Sequence, residues 1–448
     1  SGGLQAMGGE IPFEETVNVP ELSERDYTQI VWNIEDLNIT MIHSRKLSAK
    51  AVLTLTVRAE SRVDAQAAAD VETDDAGLQV LKRSVPAATL AVRRKDIYRV
   101  REEVSVSANK PNIETILWQE MRLRDVSVRP LDGKLHLDGE LSVFLIYSGE
   151  GEHTPVQWLE ESIPFSGEVE LSEAVEEMIP AVGVRILHAE ADKKPVVLPS
   201  GMEVIEGGLV EAVLELDIRL YKEESVELLS DLYSTGCEVV SEQGEVCFDR
   251  LLTRNSCKMR VGGSVSFQKP DRILQICHSS GIVRLDESRP SENGLAIEGV
   301  LEVSLLYLTD DDAAPVGAIS EVLPFSGTVE AEGIREDCVW QLNLGLEQLG
   351  AVMLGGGEAE VKAQLTVELL VFQPMQEAVV TSVQTQPFDL KRWEQQPGIV
   401  GYIVQPGDSL WKIAKKFHTT VETIMTTNGL TDSLIKPGDR LLLVKEMS

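Results

Sequence analysis

The sequence predicts a mainly β protein in which tandem antiparallel β-sandwich or barrel-like repeats precede a small β-α-α-β module. Two observations predict the repeats: apolar and polar residues alternate over several segments, and one alternating segment recurs farther along the chain. A third observation predicts the module, because residues 401–446 carry helix-start and helix-stop signals between two short apolar segments. With 448 residues the chain is long enough for about three domains.

Period-two alternation is clearest between Lys134 and Tyr147. Odd positions hold leucine, glycine, valine or tyrosine, and even positions from 134 to 142 hold polar residues. A half-buried strand has this period because successive side chains point to opposite faces. The pattern recurs from Leu295 to Tyr307, and the glycines at the middle of the two strands, Gly139 and Gly299, predict a bulge or a bend.

An internal repeat organises the chain. Residues 113–170 align with residues 273–330 without a gap, at an offset of 160, with 20 identities in 58 positions. Most identities are apolar, glycine or proline residues. They include a Pro-Phe-Ser-Gly block at Pro164 and Pro324, which we interpret as a turn with a buried phenylalanine rather than a corner that binds a partner. Each copy is followed by a further alternating strand, at 214–220 and 361–367.

A third copy is present only in part. Residues 11–17 match 163–169 and residues 50–57 match the later strand, yet nothing upstream of residue 10 supplies a first half. We expect the sequence to begin inside a domain; the alternative is a natural half-domain, and the mass of the native protein would decide. The predicted organisation is a tag remnant and linker (1–9), a partial first repeat (10–77), a second repeat (78–233), a third repeat (244–382), a linker (383–400) and the C-terminal module (401–446).

The motifs of the repeat occur in a fixed order. Pro111 precedes a short Ile-x-x-Ile segment, the Gly-x-Leu-x-Val-x-Leu-x-Tyr strand runs from Gly139 to Tyr147, and Pro164-Phe165 follows. In this order they resemble the SPOCS domain, which is repeated in spore-coat and cortex assembly proteins of the SipL type. The resemblance implies a non-enzymatic scaffold of the spore envelope, a mother-cell location at the forespore surface and contact with a coat-assembly ATPase of the SpoIVA type.

The C-terminal module has turn and capping residues at positions typical of two short helices between two strands. Pro406-Gly407 turns the chain after a short strand, and Asp408 or Ser409 then caps a helix whose apolar residues recur at helical spacing. A second helical face ends near Asn428-Gly429, which is a helix-stop signal, and Pro437-Gly438 returns the chain to a closing strand.

This module is similar to the LysM domain, which implies binding of N-acetylglucosamine-containing glycans such as peptidoglycan in a shallow groove between its first and last loops. An N-acetyl group needs an apolar seat, which we assign to Leu410 and Ile435, beside amide and hydroxyl partners. Capping and turn geometry also require several of these residues, and the loops could instead hold a coat morphogenetic protein. By position, the predicted site comprises Gly407, Asp408, Ser409, Leu410, Asn428, Gly429, Leu430, Thr431, Ser433, Leu434 and Ile435.

Charge and composition exclude several classes of function. The chain has 41 Lys and Arg against 73 Asp and Glu, a net charge of −32, which disfavours nucleic acid and anionic membrane surfaces as partners. No apolar run approaches the roughly 20 residues of a membrane-spanning helix, so membrane insertion is not expected. Five cysteines without a Cys-x-x-Cys motif favour a reducing compartment over a disulfide framework.

Motifs for catalysis are missing from the sequence. It has no phosphate-binding loop, no Gly-x-Ser-x-Gly elbow and no His-Glu-x-x-His helix, and the neighbours Cys277 and His278 lack further residues at metal-ligand spacing. We therefore expect no enzyme activity, no cofactor and no metal. The alternative is a wall-associated hydrolase with a LysM targeting module. Lys412, Lys415 and Lys416 are interpreted as a solvated helix face.

Overall fold

The computed structural model describes residues 7–444 except residues 8, 25, 62–63, 108, 152–155, 198–202, 269–272, 312–313, 355–356 and 389–396. Antiparallel strands dominate this part of the chain, and two short helices lie near its C-terminal end. The mainly β class with a final β-α-α-β module is thus confirmed. Residues 1–6 of the expected tag remnant and residues 389–396 of the expected linker lie outside the described residues, and the domain boundaries stay predictions. Neither helix in the described residues has the length and apolar character needed to cross a bilayer.

The elements fall into two compact units, residues 8–66 and the described residues from 67 onward. In chain order they are β1 (Tyr27–His43), β2 (Lys46–Glu60), β3 (Leu78–Ser105), β4 (Ile113–Leu131), β5 (Lys134–Gly149), β6 (Val156–Glu170), β7 (Ile179–Val197), β8 (Glu203–Ser234), β9 (Glu238–Ser266), β10 (Ile273–Ser291), β11 (Gly294–Thr309), β12 (Val316–Glu330), β13 (Val339–Leu354), β14 (Glu358–Gln386), β15 (Ile399–Ile403), α1 (Leu410–Phe417), α2 (Val421–Asn428) and β16 (Arg440–Val444).

Strands β3 to β8 form the first sandwich. Two three-stranded sheets, β3-β8-β7 and β4-β5-β6, contribute to one apolar core, so the first full repeat is a sandwich rather than a barrel. The predicted alternation in β5 is confirmed, since its inward side chains are fully buried and lie in one core with the later predicted strand in β8. These fully buried residues are Leu135, Leu137, Leu141, Val143, Leu145 and Tyr147 of β5 and Leu214, Leu216, Ile218 and Leu220 of β8.

Strands β9 to β14 form the second sandwich in the same way. Its sheets are β10-β11-β12 and β13-β14-β9. The strand predicted from the repeat of β5 is β11, and the strand predicted at 361–367 lies within β14. Their inward side chains are fully buried in a second core: Leu295, Ile297, Leu301, Val303, Leu305, Val361, Leu365 and Val367.

The two sandwiches contact each other through polar and aromatic groups. Outward residues of β5 are also buried here, because Phe144 stacks on the His278 ring with the ring centres 4.0 Å apart. His278 Nε2 lies 3.2 Å from Glu120 Oε2, and Arg122 both pairs with Glu120 and donates to the carbonyl of Gly281. His278 therefore serves the contact between repeats; its neighbour Cys277 is buried, and burial raises the pKa of that thiol to about 11.

A second contact joins the ends of the four longest strands. Val85 and Leu228, from β3 and β8, pack against Val246 and Val379, from β9 and β14. Farther along, Leu229 and Leu232 of β8 form another buried cluster with Val380 of β14. The strands that complete each sandwich are thus also the strands that join the two sandwiches.

The Pro-Phe-Ser-Gly block is not a turn. Residues 164–167 lie within β6, an edge strand, where a proline can be accommodated without an N–H group. The phenylalanine is buried as expected, and its ring lies over the glycine predicted to mark a bulge: a Cβ on Gly139 would come within 2.8 Å of Phe165 Cζ. The bulge itself is in the neighbouring strand β4, between Arg124 and Ser127. The composition suggested a turn because proline, serine and glycine are common in turns. The same residue types also occur in an edge strand, as they do here.

Residues 8–66 contain the hairpin β1-β2. Its strand pairing has a register shift between Ile34 and Asp36. The β13-β14 hairpin has a similar register shift between Leu346 and Gln348. One face of β1 is apolar and exposed along its length, at Ile30, Trp32, Ile34, Leu37, Ile39 and Met41. The segment 11–17 has no strand structure, so the predicted partial copy shares the hairpin of the full repeats but not the strand at that segment.

Candidate binding site in the C-terminal module

The two loops predicted to form the site leave the same end of a two-stranded sheet. Strands β15 and β16 pair antiparallel, with Ile403 opposite Arg440, so the chain leaves β15 where it enters β16. Val404 N–H donates to the carbonyl of Asp439 at 2.9 Å, and Gly438 N–H donates to the carbonyl of Val404 at 2.9 Å. These bonds join the residue before the first loop's turn to the two residues that follow the second loop, so the two loops are anchored at the same end of the sheet.

The first loop is held by Asp408. Its carboxylate accepts hydrogen bonds from Gln405 N–H at 2.8 Å and from the Tyr402 hydroxyl at 2.7 Å. These two donors lower the pKa of Asp408. Ser409, rather than Asp408, is the N-cap of α1, since its hydroxyl accepts from Lys412 N–H at 3.2 Å. The sequence left these two caps as alternatives, and the structure assigns a separate task to each.

The second loop begins at Asn428, whose side-chain amide joins α2 to β16. Its Nδ2 donates to the carbonyls of Ile424 and Leu442, both at 2.8 Å, and its Oδ1 accepts from Leu442 N–H at 2.7 Å. Gly429 follows as the C-cap with φ of 65°, a left-handed conformation that favours glycine. This amide is therefore used in holding the loop, and a ligand would contact the residues after it.

The exposed surface of the site comes from a shorter set of side chains than predicted. Leu410 is 2% exposed and lies in the module's core, so it provides no apolar seat at the surface; this corrects the assignment made from the sequence. Ile435 is partly buried against the same core, whereas the Leu434 side chain is 82% exposed beside Thr431 and Ser433. Gly407 has φ of 86° and open space where a Cβ would stand. The second loop thus exposes an apolar side chain and two hydroxyl side chains, and the first loop exposes a glycine.

Sequence analysis missed Asp439, which closes the second loop. Its Oδ2 accepts from Lys436 N–H at 2.8 Å, and its carbonyl accepts from Val404 in the first loop. The signal for it was the Lys-Pro-Gly-Asp segment at 436–439, in which an aspartate can cap a turn through its side chain.

Helix α1 and the residues just after it contact the first sandwich. Asp231 in β8 accepts from the Trp411 indole at 2.8 Å and from Lys415 Nζ at 2.5 Å, and the buried Tyr233 hydroxyl donates to the carbonyl of Thr419 at 2.8 Å. The Tyr233 and Trp411 ring centres lie 4.9 Å apart. Lys415 is therefore not simply part of a solvated face, and the site loops contribute none of these contacts.

Comparison with known families agrees with this geometry. Residues 402–444 match the family model of the LysM domain, and residues 112–194 and 272–354 each match that of the SipL, SPOCS domain. The chain carries two SPOCS domains and one LysM domain. SPOCS and LysM domains are binding or scaffold modules, the former typical of sporulation proteins and the latter of proteins that bind N-acetylglucosamine-containing glycan. No curated protein and no solved structure matches the chain.

Proposed function

We propose that the protein is a non-enzymatic scaffold of spore-envelope assembly, whose LysM domain binds N-acetylglucosamine-containing glycan through the loops at residues 407–410 and 428–435. The observation that carries the proposal is the anchoring of both loops at one end of the β15-β16 sheet, with exposed apolar and hydroxyl side chains in the second loop. The methyl of an N-acetyl group can lie on Leu434, while Thr431, Ser433 and loop amides orient its polar atoms.

The contact between the LysM domain and β8 supports a tethering role. Because Trp411, Lys415 and Thr419 hold the domain on the first SPOCS sandwich, glycan bound at the loops is connected to the acidic β domains without relying on the linker alone. Resemblance to SipL-type proteins supports the forespore surface as the location and a coat-assembly ATPase of the SpoIVA type as a protein partner, both as part of this proposal.

The test is a calorimetric titration of the full chain with N-acetylglucosamine tetramer and hexamer. We expect weak, saturable binding that falls at least fivefold in Leu434→Asp, because a charge then stands where the methyl would lie. Leu274→Asp is the matched control, since Leu274 is a similarly exposed leucine (68%) on β10, and it should bind as the unchanged protein does.

Two results would contradict the proposal. Absence of heat at millimolar oligomer, with the fold intact by circular dichroism, would reject glycan binding and turn the search to coat morphogenetic proteins. Release of reducing sugar or peptide from purified peptidoglycan would reject the scaffold and favour a wall hydrolase.

A further inference from the structure

A cavity of about 270 Å³ lies between the two SPOCS sandwiches. Its lining comes from β4, β7, β10 and β13, each of which is the edge strand of its sheet. The volume is close to the lower end of the roughly 300–1,000 Å³ typical of small-molecule pockets. The site is thus large enough for a group the size of an amino-acid side chain or a short diacid.

Irregularities in the edge strands open this space. Register shifts occur between Arg124 and Ser127 in β4, between Ile186 and His188 in β7 and between Leu346 and Gln348 in β13. Arg124, Ile186 and Leu346 each line the cavity. A bulge bends an edge strand and interrupts regular packing. Three bulges around one point therefore create the cavity, which is a feature of the backbone and not only of the side chains.

The cavity contains an arginine that lacks the carboxylate its repeat counterpart has. In the second sandwich Arg284 donates to Glu302 at 2.6 Å. The positions 160 residues earlier are Arg124 and Ser142, so the first sandwich keeps the arginine and loses the acid. Among the described residues the Arg124 side chain has no hydrogen-bond or ion-pair partner, and the carboxylate of Glu140, its ladder neighbour in β5, accepts from the Ser162 hydroxyl at 2.7 Å instead.

The other charges at the cavity are already paired. Arg122 pairs with Glu120 and donates to the carbonyl of Gly281, which fixes its guanidinium between the two sandwiches. Glu347 on the opposite wall forms an ion pair with Lys258 and accepts from Gln364 at 2.7 Å. Of the charged residues that line the cavity, Arg124 is therefore the one left for a ligand.

We propose that this cavity binds a small carboxylate, with Arg124 as the residue that recognises it. A guanidinium presents parallel N–H groups that match a carboxylate, and the hydroxyls of Ser279 and Ser280 lie in the same lining. Leu346 and Leu349 provide an apolar wall for an aliphatic stem, which favours a carboxylate on a short carbon chain over inorganic phosphate.

The test is a titration of the full chain with glutarate, inorganic phosphate and neutral glutaramide, by calorimetry and thermal shift. We expect saturable binding of glutarate, weaker binding of phosphate and none of glutaramide. Arg124→Gln should weaken glutarate binding at least tenfold. Arg129→Gln is the matched control, because Arg129 lies on the same strand but outside the cavity lining, and it should not change the affinity.

Ser142→Glu gives an independent test, because it restores the carboxylate that pairs the counterpart arginine and should compete with glutarate while Arg124 is kept. The proposal fails if neither anion binds the folded protein, or if Arg124→Gln leaves glutarate affinity unchanged. Tighter binding of phosphate than of glutarate would overturn the assignment of the ligand as a carboxylate. If Ser142→Glu unfolds the chain, the Arg124→Gln result alone decides.

Discussion

Single residues hold the LysM domain in place, and Asp231 is central among them. One carboxylate accepts from both the Trp411 indole and the Lys415 ammonium. We expect Asp231→Ala to weaken this contact by about 1–2 kcal/mol, since hydrogen bonds to charged groups have this size and Lys415 is partly screened by solvent. The measurement is hydrogen exchange of the amides in 410–419, which should speed up. Asp337→Ala, which breaks a local pair with Arg335, is the control and should leave these amides unchanged.

Asn428 is the residue on which the second site loop depends. Asn428→Ala removes two hydrogen bonds between α2 and β16 and one within α2, and should destabilise the module by about 1–3 kcal/mol. The measurement is hydrogen exchange of the β16 amides at increasing denaturant concentration, which gives the loss of stability. Thr431→Ala, in the exposed part of the loop, should leave the stability within about 0.5 kcal/mol; an equal loss in both variants would show that the amide is not what holds the loop.

Glu120 gives the contact between the sandwiches a dependence on pH. Burial raises the pKa of Glu120, but the hydrogen bond with His278 and the charge of Arg122 outweigh it, so the pKa lies below its ordinary 4.5. A carboxyl with a depressed pKa contributes stability above pH 4.5 that is lost as pH falls through its folded value. Urea unfolding between pH 3 and 6 should therefore show a shallower acid loss in Glu120→Gln than in the unchanged protein; parallel curves would refute this.

At the scale of elements, a glycine beneath a phenylalanine recurs in both sandwiches. A Cβ on Gly299 would lie 2.7 Å from Phe325 Cζ and 2.2 Å from the Arg284 carbonyl oxygen. A Cβ on Gly139 would lie 2.8 Å from Phe165 Cζ, and its nearest backbone atom, Val126 Cα, would be farther away at 3.2 Å. We expect Gly299→Ala to cost more than Gly139→Ala, with both in the range of roughly 1–3 kcal/mol. Gly345→Ala, a strand glycine with open space around it, is the control in thermal unfolding. Phe165→Leu should partly rescue Gly139→Ala if the ring causes the strain.

A strand was predictable from the sequence where only one of its two faces packs against a core, because apolar and polar residues then alternate. Leu135 to Tyr147 alternated clearly, and the structure buries the predicted face. The bulges were harder to place, because a glycine in one strand can accommodate a distortion in its neighbour, as Gly139 does for β4. Period-two reasoning also could not show that Phe144 and Ile146 are buried, because a second sandwich covers the outer face of β5.

At the scale of the whole molecule, the sequence favoured a LysM domain separated from the repeats by a linker. The structure adds contacts between Trp411 and Asp231, 180 positions apart, and between Tyr233 and Thr419. Such contacts cannot be inferred from local patterns, because an aspartate and a tyrosine near the end of a strand have many possible uses. The two site loops were predictable because they contain turn and capping residues. The burial of Leu410 was not predictable, because it depends on which face of α1 packs against the core of the module.

The length of β8 has a mechanical consequence. Its ladder with β3 runs from the pair Leu78 and Ser234 to the pair Ser105 and Gly207, and the LysM domain contacts it near the Ser234 end. A pull on glycan held by the LysM loops would reach Tyr233 and then spread along this ladder, which shares the load among many backbone hydrogen bonds. The LysM domain is held on β8 by the hydrogen bonds of Trp411, Lys415 and Thr419, which are far fewer than those of the ladder. We therefore expect the LysM domain to detach from β8 under force before β3 and β8 separate.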